Sequence, residues 1–590
     1  MKVFKNLSLM VNYVKKYTSH FLGFTIIDGV LWGLIHCYSN VIFLKLLFDI
    51  VQKELNFIKV IYLVSFSALF LVLAYFYHEW YVQIKTPNST QEIHKNMQLQ
   101  LFEKAKSLDI SYYDDPEFYT DFVWAINESD NRAMAICNDL GKLITRLISS
   151  VVLIGLLIDI NIYVLLLIII FIVASLLLKN VRMSIFFQKD LEAKPYQRHI
   201  SYIGRVFYLS DYAKEIRLSN ISKVLFREFR NSILQLKHII KKYCYKLLAI
   251  TLIQQVLTTV IFYIGIVLLL YLIAAKDNIS IGDFVAAVVA ANKLLSQMND
   301  IFAFVPKFKQ HSAYAEKFKI FNEYVSNLKD GDIVETGVFE SLEFQEVSFC
   351  YPGSSKKVLD KLSFVINAKQ KLAIVGCNGT GKSTIIKLIL RLYDPISGKI
   401  LLNGRDIREY KLHTYRKMIN VIFQDFQLYA ADLSQNVLMD VFTQGDEDLI
   451  ISALSNVDFL QRLSEMPNGI KTMLTKEFCN EGLNLSGGES QKVALSRLFV
   501  KDNSLLVLDE PSSALDPISD SNFSKFVMNT TDTSIIISHR LSTICSADMI
   551  LVINNGKIVE RGTHPELIMQ KGQYSDMFKN QAYKYQNDYN

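Results

Sequence analysis

Hydrophobic and polar positions divide the chain into two parts that meet near residue 310. Before that point, six long apolar segments alternate with polar stretches, over approximately 20–48, 57–81, 139–158, 161–179, 246–274 and 281–306. Most of them are long enough to cross the roughly 30 Å hydrocarbon core of a bilayer as helices. Segments four and five contain long runs without a charged residue, whereas segment six contains Asp283, Lys293 and Asp300. The pattern predicts six membrane-spanning helices, of which the sixth has the weakest apolar character.

Basic residues near the segment ends predict the orientation of these helices. The first 19 residues and the loops after segments two and four are rich in Lys and Arg, whereas the loops after segments one, three and five contain only Lys53 and Lys276. We therefore expect both termini and both long loops in the cytoplasm. No apolar region of a cleavable signal peptide precedes Ser19. Residues 1–19 are instead expected to form a short elbow helix on the inner membrane interface. Apolar residues recur there at helical spacing, at Val3, Leu7, Met10 and Val14.

The two long loops are helical in character, which predicts that the membrane helices continue into the cytosol. Each is interrupted by a turn-prone patch, 114–116 in the first loop and 209–211 in the second. We expect short transverse helices at these breaks. The alternative is that both loops are passive linkers.

After Lys307 the pattern changes to short β-branched runs that alternate with helices, which is typical of an α/β domain. Overall, 51% of residues are hydrophobic and only 20% are charged, against about 25% charged in soluble proteins. The net charge of +6 is too small and too dispersed to favour nucleic-acid binding. Seven cysteines without a C-x-x-C pair argue against a disulfide scaffold and a structural zinc site. The chain therefore has the character of a membrane protein with an α/β domain on the reducing side.

Residues 376–383 read Gly-Cys-Asn-Gly-Thr-Gly-Lys-Ser and match the phosphate-binding loop G-x-x-x-x-G-K-[ST]. The loop follows an apolar strand and opens a helix, so its backbone N–H groups can face a phosphate. Lys382 is expected to reach the β- and γ-phosphates, and the Ser383 hydroxyl to bind Mg²⁺. The predicted nucleotide-binding residues of this loop are Gly376, Asn378, Gly379, Thr380, Gly381, Lys382, Ser383 and Thr384. Cys377 lies within the loop and is either reactive or a buried, inert thiol.

An acidic pair, Asp509 and Glu510, follows the apolar run 505–508. Such a pair alone is more often a helix cap, but beside a phosphate-binding loop it favours catalysis. Asp509 suits the Mg²⁺ shell, and Glu510 is placed to accept a proton from an attacking water. The predicted fold is an α-helical six-helix transmembrane domain followed by an α/β P-loop NTPase domain.

The run Leu-Ser-Gly-Gly-Glu at 485–489 resembles the signature motif of ATP-binding cassette (ABC) transporters. Further motifs stand in the order that this family shows: Tyr351, Gln424, the run 513–516 and His539. The resemblance implies that they are, respectively, the adenine-stacking aromatic, the Q-loop, the D-loop with Asp516, and the switch histidine. It covers about 343 to 577, and with six preceding helices the layout resembles bacterial exporter half-transporters.

The resemblance implies a specific catalytic assembly. Two chains would sandwich two ATP molecules, and the signature of one cassette would complete the site of the other. The residues that it would contribute are Ser486, Gly487, Gly488 and Glu489. His539 would contact the γ-phosphate, and Gln424 would link the metal, held with Ser383 and Asp509, to the membrane domain. A homodimer is the simplest assembly, with a homologous half-transporter as the alternative partner.

The implied organisation, in a bacterial cytoplasmic membrane, is an elbow helix over 1–19, a transmembrane domain over 20–310, a linker over 311–340 and a cassette over 341–590. The resemblance implies that the transmembrane domain has long cytoplasmic extensions and that the two transverse helices are coupling helices, which dock onto the cassettes. Two departures from the family pattern follow the signature, Glu489 for the usual glutamine and Lys492 for the usual arginine. Cys479 replaces a glycine common in the acidic coupling loop, which puts the contact of Glu477 in doubt.

Ionisable residues in membrane spans cost about 2.5–3.5 kcal/mol each on insertion scales, so they usually face a cavity or a partner. Two sets recur at helical spacing, Asp28, Trp32 and His36 in segment one, and Lys293, Gln297 and Asp300 in segment six. They are the candidate lining of a translocation cavity. The alternative is that Lys293 pairs with Asp300 or with an acid on a neighbouring helix.

Charges of both signs beside aromatic residues suit an amphipathic cargo such as a modified peptide. The sequence of residues 108–119 resembles that of Gram-positive and antibacterial-peptide exporters, which favours a peptide as the cargo. A lipid or lipid-linked-saccharide flippase and a multidrug exporter are the alternatives. An ATP-gated channel would be expected to have a degraded Glu510 or signature, and an importer subunit a cassette on a separate chain.

Overall fold

The computed structural model describes residues 2–53, 57–276, 280–335, 337–501, 504–511, 517–529, 533–538, 540 and 544–586. The chain forms two compact units. The helical unit comprises Met1–Lys106 and Thr120–Glu323, and the cassette unit comprises Ser107–Tyr119 and Tyr324–Asn590.

Eleven α-helices are described before the first strand. They are α1 (Lys2–Tyr17), α2 (Phe21–Cys37), α3 (Phe43–Lys53), α4 (Phe57–Trp80), α5 (Thr86–Ser107), α6 (Pro116–Ile160), α7 (Ile162–Tyr208), α8 (Ser210–Leu218), α9 (Ile221–Gln255), α10 (Phe262–Lys276) and α11 (Ile281–Glu323). Short π-helical turns at Tyr38–Ile42, Tyr81–Lys85 and Val256–Ile261 join α2 to α3, α4 to α5 and α9 to α10.

Five described helical stretches are long and apolar enough to cross a membrane. They are Phe21–Gln52, Phe57–Ser107, Asp130–Ile160, Ile162–Tyr208 and Ile221–Ala275. Helix α11 is not among them, because its charged residues lower its hydropathy, and its role as a sixth span stays a prediction. Its small residues, including Ala287 and Ala291, are buried in one core with Ile168 and Phe262.

A single residue, Asn161, joins the helices of segments three and four. Helix α6 ends at Ile160 and α7 begins at Ile162. The side chain of Asn161 caps α7 by accepting a hydrogen bond from the backbone N–H of Tyr163, at 2.9 Å. This cap satisfies one of the free N–H groups at the helix start.

The predicted N-terminal helix forms as α1, with Met10 and Val14 fully buried. The Asn6 amide donates to the carbonyl of Ser312 at 3.1 Å, so this face packs against α11. Helix α11 continues to Glu323, beyond the expected boundary at 310, because hydropathy detects only its apolar part.

The two predicted breaks in the long loops differ in form. The first is a 3₁₀ turn at Ile110–Asp114 between α5 and α6, and it belongs to the cassette unit. The second is the short helix α8, which belongs to the helical unit.

The cassette unit has two sheets. Their strands are β1 (Ser341–Phe349), β2 (Leu359–Asn367), β3 (Lys371–Val375), β4 (Ser397–Leu402), β5 (Arg405–Asp406), β6 (Ile419–Ile422), β7 (Leu505–Asp509), β8 (Thr533–Ile537), β9 (Met549–Asn554) and β10 (Lys557–Gly562). The smaller sheet is antiparallel, in the order β2-β1-β4-β5. The larger has the order β10-β9-β3-β8-β7-β6 and is parallel except for β10.

Nine described α-helices accompany these strands. They are α12 (Lys382–Ile389), α13 (Leu412–Lys417), α14 (Leu433–Leu438), α15 (Glu447–Ser455), α16 (Leu460–Ser464), α17 (Gly487–Ser496), α18 (Pro517–Asn529), α19 (His564–Gln570) and α20 (Gln573–Gln586). Strands β3, β8 and β7 lie side by side in the larger sheet and are fully or almost fully buried. Their carboxyl ends share one edge, which is where ligands bind in open α/β sheets.

Candidate nucleotide site and polar cavity

The phosphate-binding loop connects β3 to α12 at this edge of the sheet. Gly379 and Gly381 have φ values of 80° and 104°, which only glycine adopts readily. A Cβ at Gly381 would also lie 2.7 Å from the Leu359 side chain. Thr380 holds the turn by donating from its hydroxyl to the carbonyl of Cys377, at 2.9 Å. The glycines and the Thr380 hydrogen bond therefore fix the conformation of the loop. Asn378, also in the loop, is exposed.

Lys382 is the first residue of α12 and is buried. Its Nζ donates to the carbonyls of Gly376 at 2.8 Å and Cys377 at 3.0 Å. Burial lowers the pKa of Lys382, while the Glu510 and Asp509 carboxylates act in the opposite direction. The ammonium thus lies over the loop, where phosphate oxygens can replace the two carbonyls as acceptors.

Asp509 ends β7, is buried, and accepts a hydrogen bond from the Ser383 hydroxyl. Burial and the neighbouring Glu510 carboxylate raise the pKa of Asp509, against the effect of that hydrogen bond. A bound cation would relieve this electrostatic cost. Paired hydroxyl and carboxylate oxygens are ligands that suit Mg²⁺ beside substrate phosphates.

Glu510 and Gln424 lie together, as the sequence predicted for two residues of one site. The Gln424 amide donates to Glu510 Oε2 at 3.1 Å. Glu510 has a φ of 48°, which is uncommon for a residue other than glycine. Its backbone N–H donates to the carbonyl of Ile537 at 2.8 Å, which holds it in this conformation.

The Tyr351 ring is fixed from several sides. Its hydroxyl lies 3.0 Å from Oγ1 of Thr384, in the first turn of α12. The Lys387 ammonium lies 5.1 Å from the ring centroid. Phe349 and Tyr393 contact the ring edge-on, at 5.1 and 5.5 Å. An aromatic ring held beside the phosphate-binding helix is placed to stack on a nucleobase.

The signature residues begin helix α17. Ser486 is the N-cap, and its backbone N–H donates to Glu489 Oε2 at 2.7 Å. Glu489 also forms an ion pair with Arg462 at 2.8 Å. The hydrogen bond from the Ser486 backbone lowers the pKa of Glu489, with a further contribution from Arg462. The carboxylate at 489 therefore closes a capping box, with Gly487 and Gly488 opening the helix.

Some predicted residues lie outside the described part of the chain. These are His539 and the run 513–516 with Asp516, and their roles stay predictions. In the loop before the signature, Glu477 is exposed and its backbone N–H donates to Thr475 Oγ1 at 3.1 Å. Cys479 accepts a backbone hydrogen bond from Gly482 at 3.0 Å.

The helical unit contains a cavity of about 610 Å³ between α2, α4, α6 and α11. Four of the six predicted residues line it, Asp28, Trp32, His36 and Asp300. The other two, Lys293 and Gln297, are not among its lining residues. Gln297 is instead buried between two α6 serines, donating to Ser149 and accepting from Ser150.

Polar and aromatic contacts organise this cavity. His78 Nδ1 lies 2.8 Å from Asp28 Oδ1, and its ring stacks on Trp32 with centroids 4.2 Å apart. Asp300 pairs with Arg146 at 3.3 Å, and not with Lys293 as one alternative had it. Sequence analysis missed the lining residues His78, Lys142, Arg146 and Lys307. His78, Lys142 and Arg146 lie on α4 and α6, so no spacing along the chain links them to segments one and six. Lys307 lies on α11 itself, seven residues after Asp300 and just beyond the apolar segment.

Comparisons with known proteins agree with this site. The family model "ABC transporter" matches residues 359–513. An ATP-dependent lipid A-core flippase of Pseudomonas aeruginosa is 33% identical over 318 residues, which are 53% of this chain and 52% of the flippase. The ABC multidrug transporter atrD of Emericella nidulans is 35% identical over 294 residues, 48% of this chain and 21% of that protein. The chain thus spans 52% of the length of the flippase and 21% of the length of the multidrug transporter.

A solved structure has the same fold across both units. It is a bacterial Atm1-family ABC exporter with ATP bound, at a TM-score of 0.73 and 20% identity, covering 96% of this chain and 98% of that one. The family match includes the phosphate-binding loop and the signature, and the fold match covers both units. Residues 359–513 therefore match an ABC transporter domain, and the chain as a whole has the fold of that solved exporter structure, a helical domain followed by an α/β cassette domain.

Proposed function

We propose that the protein is an ATP-driven exporter in a bacterial cytoplasmic membrane, with both termini and the cassette in the cytoplasm. The observation that carries the proposal is a complete set of described ATP-site groups in the cassette unit: the glycine-fixed loop, the buried Lys382, the Ser383–Asp509 pair and the Gln424–Glu510 pair. The described part of the same chain contains five helical stretches long and apolar enough to cross a membrane.

The described residues divide the work of hydrolysis. Lys382 holds the β- and γ-phosphates, and the loop N–H groups share their charge. Ser383, Asp509 and Gln424 would hold Mg²⁺, which neutralises charge on the phosphates when bound. Glu510 accepts the proton of the attacking water. Gln424 orients the Glu510 carboxylate through the 3.1 Å hydrogen bond.

We propose that the working unit is a homodimer. One phosphate-binding loop and one signature occur per chain, and the N-cap Ser486 opens a helix whose N-terminus suits a γ-phosphate. In a dimer with twofold symmetry, each signature would complete the other chain's site. A homologous half-transporter is the alternative partner.

The cargo that the cavity fits best is amphipathic. Its walls carry acids, bases and aromatic rings in about 610 Å³, so a molecule with both charged and apolar parts can satisfy them. A peptide was the cargo expected from the sequence of residues 108–119. The names of relatives, a lipid A-core flippase and a multidrug transporter, favour a lipid or a drug-like molecule at least as well. We therefore propose amphipathic export, with lipid as the first cargo to test and peptide as the second.

Native mass spectrometry of nucleotide-free protein, released gently from its own membrane, tests assembly and cargo together. We expect twice the chain mass with a bound amphiphile that Mg-ATP removes. A mass of one chain plus a different chain would replace the homodimer by a heterodimer. A lipid that remains bound in the presence of ATP would contradict its role as cargo, whereas an ATP-released peptide would restore the peptide hypothesis.

A further inference from the structure

The signature of this chain carries a charge that the ABC transporter pattern lacks. Glu489 stands where the pattern has a neutral glutamine, and it lies in the first turn of α17. Its Oε2 accepts a hydrogen bond from the backbone N–H of Ser486 at 2.7 Å, and its own backbone N–H donates to Ser486 Oγ at 3.4 Å. A carboxylate in this position stabilises the helix start, because it lies near the positive end of the helix dipole. The charge is therefore favourable for the isolated helix.

The same carboxylate is unfavourable for a phosphate that binds at this helix start. Of the backbone N–H groups there, the capping box uses those of Ser486 and Glu489, which leaves those of Gly487 and Gly488 to face a ligand. Gly487 is exposed, and a Cβ added to it would meet nothing within 4 Å, so the space beside it is open. A γ-phosphate that enters this space is negatively charged, and like charges at short range repel each other. Without a compensating cation, the Glu489 carboxylate would weaken phosphate binding.

Arg462, on α16, supplies that cation. Its Nε lies 2.8 Å from Glu489 Oε1, whereas the Ser486 backbone N–H binds the other carboxylate oxygen. Its Nη1 lies 2.9 Å from Glu465 Oε2, so the guanidinium is held between two carboxylates. The Arg462 and Glu489 side chains are 33% and 27% exposed, which leaves their charges open to screening by salt. The guanidinium therefore balances the signature carboxylate without removing it from the capping box.

We propose that Arg462 is a positioning residue that neutralises Glu489, so that the start of α17 can receive the γ-phosphate of an ATP molecule held by the phosphate-binding loop of a second chain. The inference rests on the proposed function, because it needs the signature to complete a nucleotide site in a dimer. Arg462 acts through Glu489 and does not itself bind the nucleotide. The ion pair of Glu489 with Arg462 thus takes the place of the neutral glutamine in the ABC transporter pattern.

ATPase kinetics of the full-length protein in lipid nanodiscs test this inference. Arg462→Gln removes the cation and leaves the Glu489 carboxylate in place. We expect the KM for ATP to rise about tenfold while kcat changes by less than about twofold, because the repulsion weakens binding of ATP and of the transition state alike. In a Glu489→Gln background, Arg462→Gln is expected to change the KM by less than about twofold, because no carboxylate then needs compensation.

Glu465→Gln is the matched control. It removes the other ion pair of Arg462 and leaves the guanidinium beside Glu489, so the KM for ATP is expected to stay within about twofold of the wild-type value. Salt provides a second readout. Raising the ionic strength from about 0.1 M to about 1 M shortens the Debye length from about 10 Å to about 3 Å, and this should reduce the KM difference between Arg462→Gln and the wild type. Disturbed packing would not respond to salt in this way.

The possible outcomes distinguish this inference from the proposed function. An unchanged KM in Arg462→Gln would overturn the inference. An equal rise of the KM in the Glu489→Gln background would overturn it as well, since Arg462 would then act through packing and not through Glu489. Either result leaves the proposed ATP site intact if Glu510→Gln, made in the otherwise wild-type protein, abolishes turnover. Turnover that survives Glu510→Gln would instead overturn the proposed function, and this inference with it.

Discussion

The ATP site of the cassette unit and the polar cavity of the helical unit are built in opposite ways. The ATP site uses contiguous residues at strand ends, such as 376–384 and 509–510, and its side chains contact partners from the same few loops. The cavity uses small groups of residues from several helices, such as Asp28 on α2 and Arg146 on α6, and long stretches of sequence separate one group from the next.

The difference shows how each kind of chemistry constrains a sequence. Phosphate binding needs successive backbone N–H groups and a helix start, so its residues must be neighbours in the chain. A cavity for an amphipathic molecule needs only side chains that converge in space, and many helix positions can supply them. Motifs therefore mark the first kind of site, whereas helical spacing indicated only part of the second, and the folded chain shows the rest.

The largest expected effect comes from Glu510→Gln in the ATP site. Because the amide cannot accept the proton of the attacking water, turnover is expected to fall by about 10²–10⁴-fold, while ATP binding persists. Phosphate release and binding of a fluorescent ATP analogue measure the two separately. Glu447→Gln, at an exposed acid of the cassette unit, should retain full turnover. Near-normal hydrolysis by Glu510→Gln would remove Glu510 from its assigned role.

Modification of Cys377 comes next, since this exposed thiol lies in the phosphate-binding loop. A bulky thiol reagent should displace the loop and lower ATPase activity by at least about tenfold. ATP should protect by covering the loop. Cys377→Ala should be insensitive although it retains the exposed Cys244. Full activity of labelled wild-type protein would show that the loop tolerates the added group.

A labelling experiment tests the cavity against the buried polar pair beside it. In a cysteine-free background, a water-soluble maleimide should label His36→Cys about tenfold faster than Gln297→Cys, as expected for an open site against a packed one. His36 lines the cavity and Gln297 is 3% exposed. The labelling rate of each variant is measured from the increase in protein mass over time, and the two rates give the ratio. Equal rates would mean that the cavity does not admit water, and the contrast between the two regions would fail.

The smallest expected effect is that of Glu489→Gln. The amide keeps an acceptor for the Ser486 backbone N–H and loses only the ion pair to Arg462. Both partners are partly solvent-exposed, so the cost is expected to stay below about 1 kcal/mol, with turnover within about twofold. Thermal unfolding and ATPase assays check both numbers. A large loss of turnover would mean that the carboxylate itself acts at the γ-phosphate.

Particular residues show where sequence reasoning succeeded and where it stopped. The phosphate-binding loop was predictable because its glycines and Lys382 are neighbours in the chain, whereas the hydrogen bond between Gln424 and Glu510 was not part of the prediction. Lys293 and Gln297 share a helix spacing with Asp300, yet only Asp300 reaches the cavity. Ser149 and Ser150 on α6 provide hydrogen-bond partners for Gln297, and no spacing along α11 reveals partners on another helix.

The sequence by itself determined the two-part organisation, the apolar helices and the residues of the phosphate-binding loop. Each of these follows from local periodicity or from neighbours along the chain. Only the tertiary structure decided which polar side chains share the cavity, that Arg462 balances Glu489, and that Tyr393 contacts both Tyr351 and Asp114. These contacts join residues far apart in the chain, and packing of whole helices and strands selects them.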